Sequence, residues 1–372
     1  MVRLIFRQSI RLIIVYAGFI ILSISLGRLR YDTLMLYSQP NANGFMIWNL
    51  QSERTQQWLP VTSLNLTYIS SPTWSPDGGT LAFVGRRTTT HDGLQVSDNL
   101  YLADANGRNA QLLWDTSGSP IRTSSQGTHY IRWSPDGEKI ALYLDLYGQP
   151  QLWLLTSDGR LLTHLASQSP IDDTPNHLPI GARLLWSADS KTLYIVTIRD
   201  GLHYQTLSLS DNTTLSQARQ IDLPVEVSIT NQSLIALAPL SPELLFVDSD
   251  ADAINLWHLS LSTQKTTAID LQATTDVTAL AWSPSGEYIG WVGTQSEGAS
   301  YIETLSLVDG QRERYHLPSA IARDRSYRLW LLDSPTQVVT RMQRGSLCRN
   351  IGQAMRCFEP DVFSATWYTL RP

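Results

Sequence analysis

The chain predicts an all-β fold: a seven-bladed β-propeller of four-stranded antiparallel blades, closed by a C-terminal strand pairing with N-terminal strands and preceded by one transmembrane helix. Three observations carry this expectation. A Trp, a tight-turn motif and an alternating apolar strand recur together about every fifty residues along the 372-residue chain, a period that marks one supersecondary unit per repeat. The two chain ends read as complementary parts of one more unit. A charge-free apolar run, Leu12 to Gly27, precedes every repeat. The blade count becomes six or eight if the one degraded unit is misread.

The first copy is "SPTWSPDGGTLAFVG" from Ser71, followed by "IRWSPDGEKIALYL" from Ile131, "LLWSADSKTLYIVT" from Leu184 and "LAWSPSGEYIGWVG" from Leu280. "RLWLLDSPTQVVTR", from Arg328, aligns with them through Trp330 and Asp333, and "LIALAPLSPELLFV" is a degraded copy with about Ala238 in the Trp position. In each, a short apolar strand ends at Trp: Trp74, Trp133, Trp186, Trp282 and Trp330. Pro presets φ at the second turn position, Asp77, Asp136 or Asp189 bonds its own backbone, and Gly78, Gly137 or Gly286 takes the positive-φ position. An alternating strand comes next, such as "TLAFVG" or "KIALYL". A third strand follows, such as "QLWLLT" or "NLWHLSL", and a weaker fourth closes the unit. The Trp side chains are expected to pack against a neighbouring sheet.

The ends complete the ring. "TLMLYSQ", "GFMIWNL" and "TQQWLP" read as second, third and fourth strands with no first. "FSATWYTL", Phe363 to Leu370, supplies a first strand with Trp367 in the place of Trp74. A blade shared by both termini leaves no sheet edge open at the seam.

Trp74-Ser75-Pro76-Asp77-Gly78 and Trp133-Ser134-Pro135-Asp136-Gly137 match fully the unit of TolB-type, WD-repeat-like propellers, and the chain resembles that family over about residues 33–370. The periplasmic protein that names the family carries an α/β domain before its propeller, and related propellers precede serine-peptidase domains. This chain has no G-x-S-x-G elbow, and its strands begin close to the apolar run. The resemblance therefore implies a stand-alone propeller on a membrane tether. It does not select an activity, because one architecture hosts many.

Arg3, Arg7 and Arg11 precede the apolar run and Arg28 and Arg30 follow it. The run covers ~24 Å as a helix, close to a bilayer core, and flanking arginines extend its reach. The excess of arginines on the N-terminal side keeps that end cytoplasmic. Residues 1–30 are thus expected as a signal-anchor helix, with 10–27 in the lipid bilayer, and 31–372 as the propeller on the extracytoplasmic side. A cleaved signal peptide is the alternative, and either way the rest of the chain is exported.

Composition is globular, with 42% hydrophobic and 16% charged residues and a net charge of −5. No global basic field points to nucleic acid. The seven histidines are dispersed and form no close metal-binding pair, so no metal centre or cofactor is expected. Asp248, Asp250 and Asp252 alternate as at the start of a calcium loop, but the glycine and the closing glutamate of such a loop are missing. Asp172, Asp173 and His177 sit together in a segment that also reads as a solvated loop. Cys348 and Cys357 fall on successive strands of the sixth unit, where an oxidising compartment favours a disulfide. From Gln311 to Phe358 there are nine arginines and a net charge of +6. Arg323, Arg325, Arg328, Arg341, Arg344 and Arg349 are the candidates there for facing an acidic partner or anionic headgroups.

These features favour a non-catalytic interaction module, an accessory or scaffold subunit of a larger membrane or envelope complex. Its partners would be other protein subunits, contacted by long loops such as 86–98 and 168–181. The alternative is a channel-based enzyme, a hydrolase or lyase, or a glycan- or peptide-binding propeller.

Overall fold

Alternating strands joined by Ser-Pro-Asp-Gly turns have no choice but to pair with their chain neighbours, and the fold is a succession of such antiparallel sheets. The structure is a computed structural model that describes residues 33–38, 44–49, 54–60, 64–89, 95–105, 107–116, 128–146, 149–166, 178, 181–199, 201–209, 214–223, 227, 233–250, 253–272, 274–296, 298–317, 328–332, 334–341, 347–351, 354–357 and 364–369.

Sheet 1 contains β1 (Thr33–Ser38), β2 (Gly44–Asn49) and β3 (Arg54–Pro60). Sheet 2 contains β4 (Tyr68–Trp74), β5 (Thr80–Thr89), β6 (Gln95–Asp104) and β7 (Gln111–Trp114). Sheet 3 contains β8 (Thr128–Trp133), β9 (Lys139–Leu146), β10 (Gln149–Thr156) and β11 (Leu161–Ala166). Sheet 4 contains β12 (Arg183–Trp186), β13 (Thr192–Arg199), β14 (Gly201–Ser208), β15 (Thr214–Leu215) and β16 (Arg219–Gln220). Sheet 5 contains β17 (Ile235–Leu237), β18 (Glu243–Asp250), β19 (Ala253–Ser260) and β20 (Lys265–Ile269). Sheet 6 contains β21 (Thr274–Trp282), β22 (Tyr288–Gln295), β23 (Ser300–Ser306) and β24 (Arg312–His316). Sheet 7 contains β25 (Arg328–Leu332), β26 (Ser334–Arg341), β27 (Leu347–Ile351) and β28 (Ala354–Cys357), and the last strand, β29 (Ser364–Thr369), pairs with β1 from Thr33↔Thr369 to Ser38↔Ser364.

This corrects the expected fold in its strand count. The blades are not uniformly four-stranded: six sheets have four strands and sheet 4 has five. There β14 pairs with two short segments, Leu207↔Leu215 and Ser208↔Thr214 at one end and His203↔Gln220 and Tyr204↔Arg219 at the other. The break has a local cause. Ser216 Oγ accepts the Thr206 N–H at 2.8 Å, so a side chain takes a ladder donor and the outer strand leaves the sheet. No helix among the described residues is long and apolar enough to cross a membrane, and residues 1–30, where the transmembrane helix was expected, lie outside the described residues. No sheet closes on itself as a barrel, and the arrangement is propeller-like.

Apolar clusters join successive sheets. Phe45 packs with Phe83 and Tyr101 between sheets 1 and 2, and Trp133 with Val84 and Leu102 between 2 and 3. Trp186 packs with Tyr143 between 3 and 4, Leu185 with Phe246 between 4 and 5, and Trp291 with Leu245 between 5 and 6. Leu331 packs with Ala281 and Ile302 between 6 and 7. The first strands of the sheets touch one another, β29 with β4, β4 with β8, β8 with β12, β17 with β21 and β21 with β25, so these strands lie at the centre.

A directional bond adds to this burial. Trp133 Nε1 donates to the Thr73 carbonyl at 3.3 Å, Trp186 Nε1 to Arg132 O at 3.3 Å, and Trp282 Nε1 to Ala236 O at 3.1 Å. Each acceptor is the residue just before the anchor of the preceding sheet. Sheet 5 shows which residue that anchor is: Ala238 N donates to Glu243 O as Ser75 N does to Thr80 O, which makes Leu237, rather than Ala238, the anchor. In sheet 7 the anchor is Leu331, which pairs Val338 and packs on sheet 6. Trp330 is one residue earlier and so falls on the opposite sheet face; Asp333 lies outside the described residues.

Trp133→Phe keeps a ring but deletes the donor and is expected to cost about 1–3 kcal/mol. Trp133→Ala is expected to cost about 3–5 kcal/mol. Urea denaturation monitored by circular dichroism checks both, and equal losses for the two variants would remove the bond from the account.

Candidate functional site

The repeated carboxylates are held by the turns they close. In sheet 2, Gly78 N donates to Ser75 O at 2.8 Å, and Gly78 has φ +70°. Ser75 Oγ donates to Asp77 Oδ1 at 2.6 Å, Gly79 N donates to the same oxygen at 3.0 Å, and Thr80 N donates to Ser75 Oγ at 3.0 Å. The Ser75 hydroxyl, then the Gly79 N–H, hold the Asp77 carboxyl below its ordinary range. In sheet 3, burial pushes Asp136 up, but Ser134, the Lys139 ammonium at 2.9 Å and the Glu138 N–H together outweigh it and hold Asp136 low. Asp189 is lowered by the Ser187 hydroxyl and the Lys191 N–H. Sheet 6 uses Ser285 in place of Asp, with Ser283 Oγ at 3.1 Å from Ser285 Oγ and Glu287 N donating to it at 3.2 Å.

The third copy lacks the turn glycine, and Ser190 takes the left-handed conformation at φ +58°. Its hydroxyl accepts the Asp136 N–H of the neighbouring sheet at 3.0 Å. The departure from glycine therefore adds a bond between sheets.

A second set of bonds ties these turns to the hairpins between third and fourth strands. Ala105 N donates to Gly79 O, Ser157 N to Glu138 O, Leu209 N to Lys191 O, Leu261 N to Pro242 O and Leu307 N to Glu287 O, all at 2.8–3.0 Å. One end of five successive sheets is thus a hydrogen-bonded set of short turns. The strands that the connections between sheets must join, β7 to β8, β11 to β12 and β24 to β25, end and begin at the opposite end.

The other singled-out residues have different surroundings from those expected. Asp248 and Asp250 belong to β18, paired with Asn255 and Ala253 in a hairpin rather than a ligating loop, and Asp248 is fully buried. Asp252, Asp172 and Asp173 lie outside the described residues, as does His177. No group of three His, Cys, Asp or Glu that could hold a metal ion occurs among the described residues. The 86–98 segment, read as a contact loop, is mostly strand, paired from Arg86↔Asp98 to Thr89↔Gln95. Arg86 Nε and Nη2 donate to the two oxygens of the buried Asp98 at 2.6 and 2.7 Å.

In the Arg-rich segment, Arg312 and Arg314 share the buried Glu303, with Arg312 Nη1 at 3.0 Å from Oε1 and Arg314 Nε at 2.8 Å from Oε2. Arg323, Arg325 and Arg344 lie outside the described residues. Arg328, Arg341 and Arg349 are placed by strand register, and so is Trp367, opposite Met35.

One charged group escaped the sequence reading. Arg132 sits on the central strand β8, just before the anchor Trp133, where other sheets have Thr73, Leu185, Ala236 and Ala281. Burial pushes its guanidinium pKa down, and it has no ion-pair partner among the described residues. The available signal was its being the one charge at that repeat position.

Cys348 and Cys357 are direct register partners on β27 and β28. Ile351 and Ala354 form the closing pair of that hairpin. Alternating from a hydrogen-bonded closing pair makes the cysteines a non-hydrogen-bonded pair, whose Cα atoms sit ~4.5 Å apart, within the disulfide range. Iodoacetamide without reductant is expected to label neither thiol, and to label both after reduction. Mass spectrometry reads the difference, and full labelling before reduction would exclude the bridge.

The depressed turn carboxylates also set a pH dependence. A carboxylate whose folded pKa is lowered adds stability above its unfolded range and loses it as pH falls through the folded value. The thermal midpoint is therefore expected to drop below about pH 4, and to drop less steeply for Asp77→Asn/Asp136→Asn. Parallel curves for parent and variant, measured by scanning calorimetry, would show that these turns do not carry the effect.

No known family profile matches the chain. Among solved structures, a protein described as a candidate 6-phosphogluconolactonase from Bacteroides fragilis matches with TM-score 0.53 and 12% identity, over 91% of this chain and 98% of that one. Prolyl endopeptidases match with TM-score 0.52 and 10% identity over 92% of this chain and 51% of that one, so the likeness takes in about half of the peptidase. TolB from Acinetobacter baumannii matches with TM-score 0.46 and 15% identity, over 92% of this chain and 84% of that one. At 10–12% identity the lactonase-like and peptidase matches show a shared fold alone and single out no family. The chain has a β-propeller-like fold.

Proposed function

We propose that the chain is a non-catalytic interaction subunit: a propeller-like ring tethered through residues 10–27 to a membrane, on its extracytoplasmic side, within a larger membrane or envelope protein complex. The observation that supports this most is the contrast between the two ends of the sheets. At one end, within each of five sheets, the first turn is hydrogen-bonded to the hairpin between the third and fourth strands. At the other end long, unrepeated connections join the sheets, and recognition concentrates on such segments when a rigid scaffold holds them. A tether raises the effective concentration of the ring near membrane partners and so lowers the cost of assembly.

Extraction in mild detergent followed by mass spectrometry of the intact assembly is expected to show the chain with other subunits in fixed stoichiometry. A monodisperse monomer in every detergent would overturn the proposal. One observation favours a second reading, a channel-based enzyme or a glycan- or peptide-binding propeller: the Arg132 guanidinium on the central strand β8, which has no ion-pair partner among the described residues.

A further inference from the structure

The position just before the anchor faces the next sheet. Leu185 packs there with Phe246 of sheet 5, and Ala281 with Leu331 of sheet 7. Apolar burial is the ordinary use of this position. In sheet 3 it holds Arg132, whose register partner Ala141 belongs to the apolar cluster shared with sheet 4. The backbone is fixed, because the Arg132 carbonyl accepts Trp186 Nε1 of sheet 4 at 3.3 Å.

The side chain has the surroundings of a binding site. Ala141, Tyr143, Ala182, Leu184 and Trp186 form apolar walls from both sheets. Tyr130, two residues earlier on the same face, stands opposite Tyr143 with ring centroids 6.3 Å apart. The Tyr130 phenol acts electrostatically on the guanidinium, and no carboxylate among the described residues does so. Neither the phenol nor the guanidinium has a hydrogen-bond or ion-pair partner among the described residues. Enclosure by protein pushes the guanidinium pKa down, yet both side chains are only half-buried. A group that is enclosed and still accessible borders an internal space, and on a central strand that space lies toward the axis of the ring.

The central strands supply no counter-charge at this level. Among β4, β8, β12, β17, β21, β25 and β29 the one carboxylate is Asp276. It stands six residues before its anchor Trp282, whereas Arg132 is next to its own, which separates them by ~15 Å along the strand direction. An enclosed, unpaired charge is costly, and a ligand of opposite sign removes that cost.

We infer that Arg132 and Tyr130 form a site for a small oxyanion, the carboxylate or phosphate group of a diffusible molecule, at the inner edge between sheets 3 and 4. The guanidinium offers a fork of donors and no acceptor, which fits two oxygens of one such group. The phenol adds a further donor, and the apolar walls exclude competing water. The site goes beyond the interaction-subunit reading and requires no reaction of the ligand.

The test uses the full chain in detergent with succinate and with inorganic phosphate, each at constant ionic strength balanced by chloride. One or both are expected to raise the melting temperature along a saturation curve, with the affinity read by calorimetric titration. Arg132→Leu, which installs the residue type found at this position of sheet 4, is expected to weaken binding on the order of ten-fold or more. Without ligand it is expected to melt at or above the temperature of the parent, because an unpaired enclosed charge is gone. Arg132→Lys keeps the charge without the fork and should bind with intermediate affinity. Tyr130→Phe should bind a few-fold more weakly than the parent. Arg108→Gln/Arg160→Gln, on exposed hairpins of the turn end, should bind as the parent does.

Absence of saturable binding by the parent would overturn the inference, and so would equal affinity in Arg132→Leu. A lower ligand-free melting temperature of Arg132→Leu would mean that the chain's own groups already hold the guanidinium, with the same consequence. Binding only to phosphatidylglycerol vesicles would place the anion at the surface and also overturn it. If the native complex assembles while neither anion binds, the interaction-subunit reading stands and this inference falls. If the chain proves monomeric yet binds the anion through Arg132, the reverse holds.

Discussion

The sheets are held in order by an indole that reaches back one sheet. Burial of the ring against the preceding sheet supplies most of the free energy but no direction. The Nε1 bond to the carbonyl just before the previous anchor supplies direction, since only one sliding position of the two central strands lets it form. Where the anchor is Leu237 there is no indole to donate. At that junction Arg183 Nη1 instead donates to Ile235 O at 3.2 Å, so a cross-sheet bond persists with a different donor. Leu331 keeps the apolar contact with sheet 6, and burial at that position requires bulk more than an aromatic ring.

The anchor works only if its strand cannot slip, because a one-residue shift would send it to the other face. The residue after the anchor prevents this. Ser75, Ser134, Ser187 and Ser283 each close the first hairpin with the backbone, and each hydroxyl accepts the N–H of the first residue of the second strand. Asp or Ser two positions on holds the hydroxyl in place. The repeat is thus one mechanical unit in which Trp spaces the sheets, Ser fixes the register and Asp fixes Ser. The further bonds from these turns to the third–fourth hairpins carry that rigidity outward. None of these groups is left over for chemistry on a substrate, which is why the repeated motif is a poor place to look for function.

What could be read from the sequence was what is local. Trp74, Trp133, Trp186 and Trp282 and their turns announce themselves by identity and spacing, and the central position of the strands they end follows. Leu237 and Leu331 were not legible as anchors, because alignment by residue type favours the nearby Ala238 and Trp330 while the register follows backbone pairing. The split outer strand of sheet 4 depends on one hydroxyl, Ser216, capturing one amide. The 86–98 segment looks like a polar loop until Arg86 and Asp98 are seen to neutralise each other in register. Burial of Asp248 in a strand was hidden for the same reason: a run of alternating aspartates looks solvated unless its pairing is known.

Charge shows most clearly how linear reading misplaces a site. The +6 excess between Gln311 and Phe358 looks uniform along the chain. Its first two arginines belong to sheet 6, where Glu303, only 1% exposed, takes both, with Arg314 4.2 Å from the Tyr301 ring centroid and Arg312 also donating to the Asp270 carbonyl at 2.8 Å. A desolvated carboxylate needs such partners, since an uncompensated buried charge is far costlier than a paired one. Those two arginines are therefore structural, and the remaining excess is concentrated in sheet 7 and the segments beside it. Sheet 7, like sheet 5, lacks the Trp anchor and the Ser–Asp turn. Strand register meets arginine with a carboxylate at Arg86↔Asp98 and Glu303↔Arg314, and with another arginine at Arg328↔Arg341 and Arg349↔Arg356, so a run of like charge along the chain contains positions with opposite electrostatic roles.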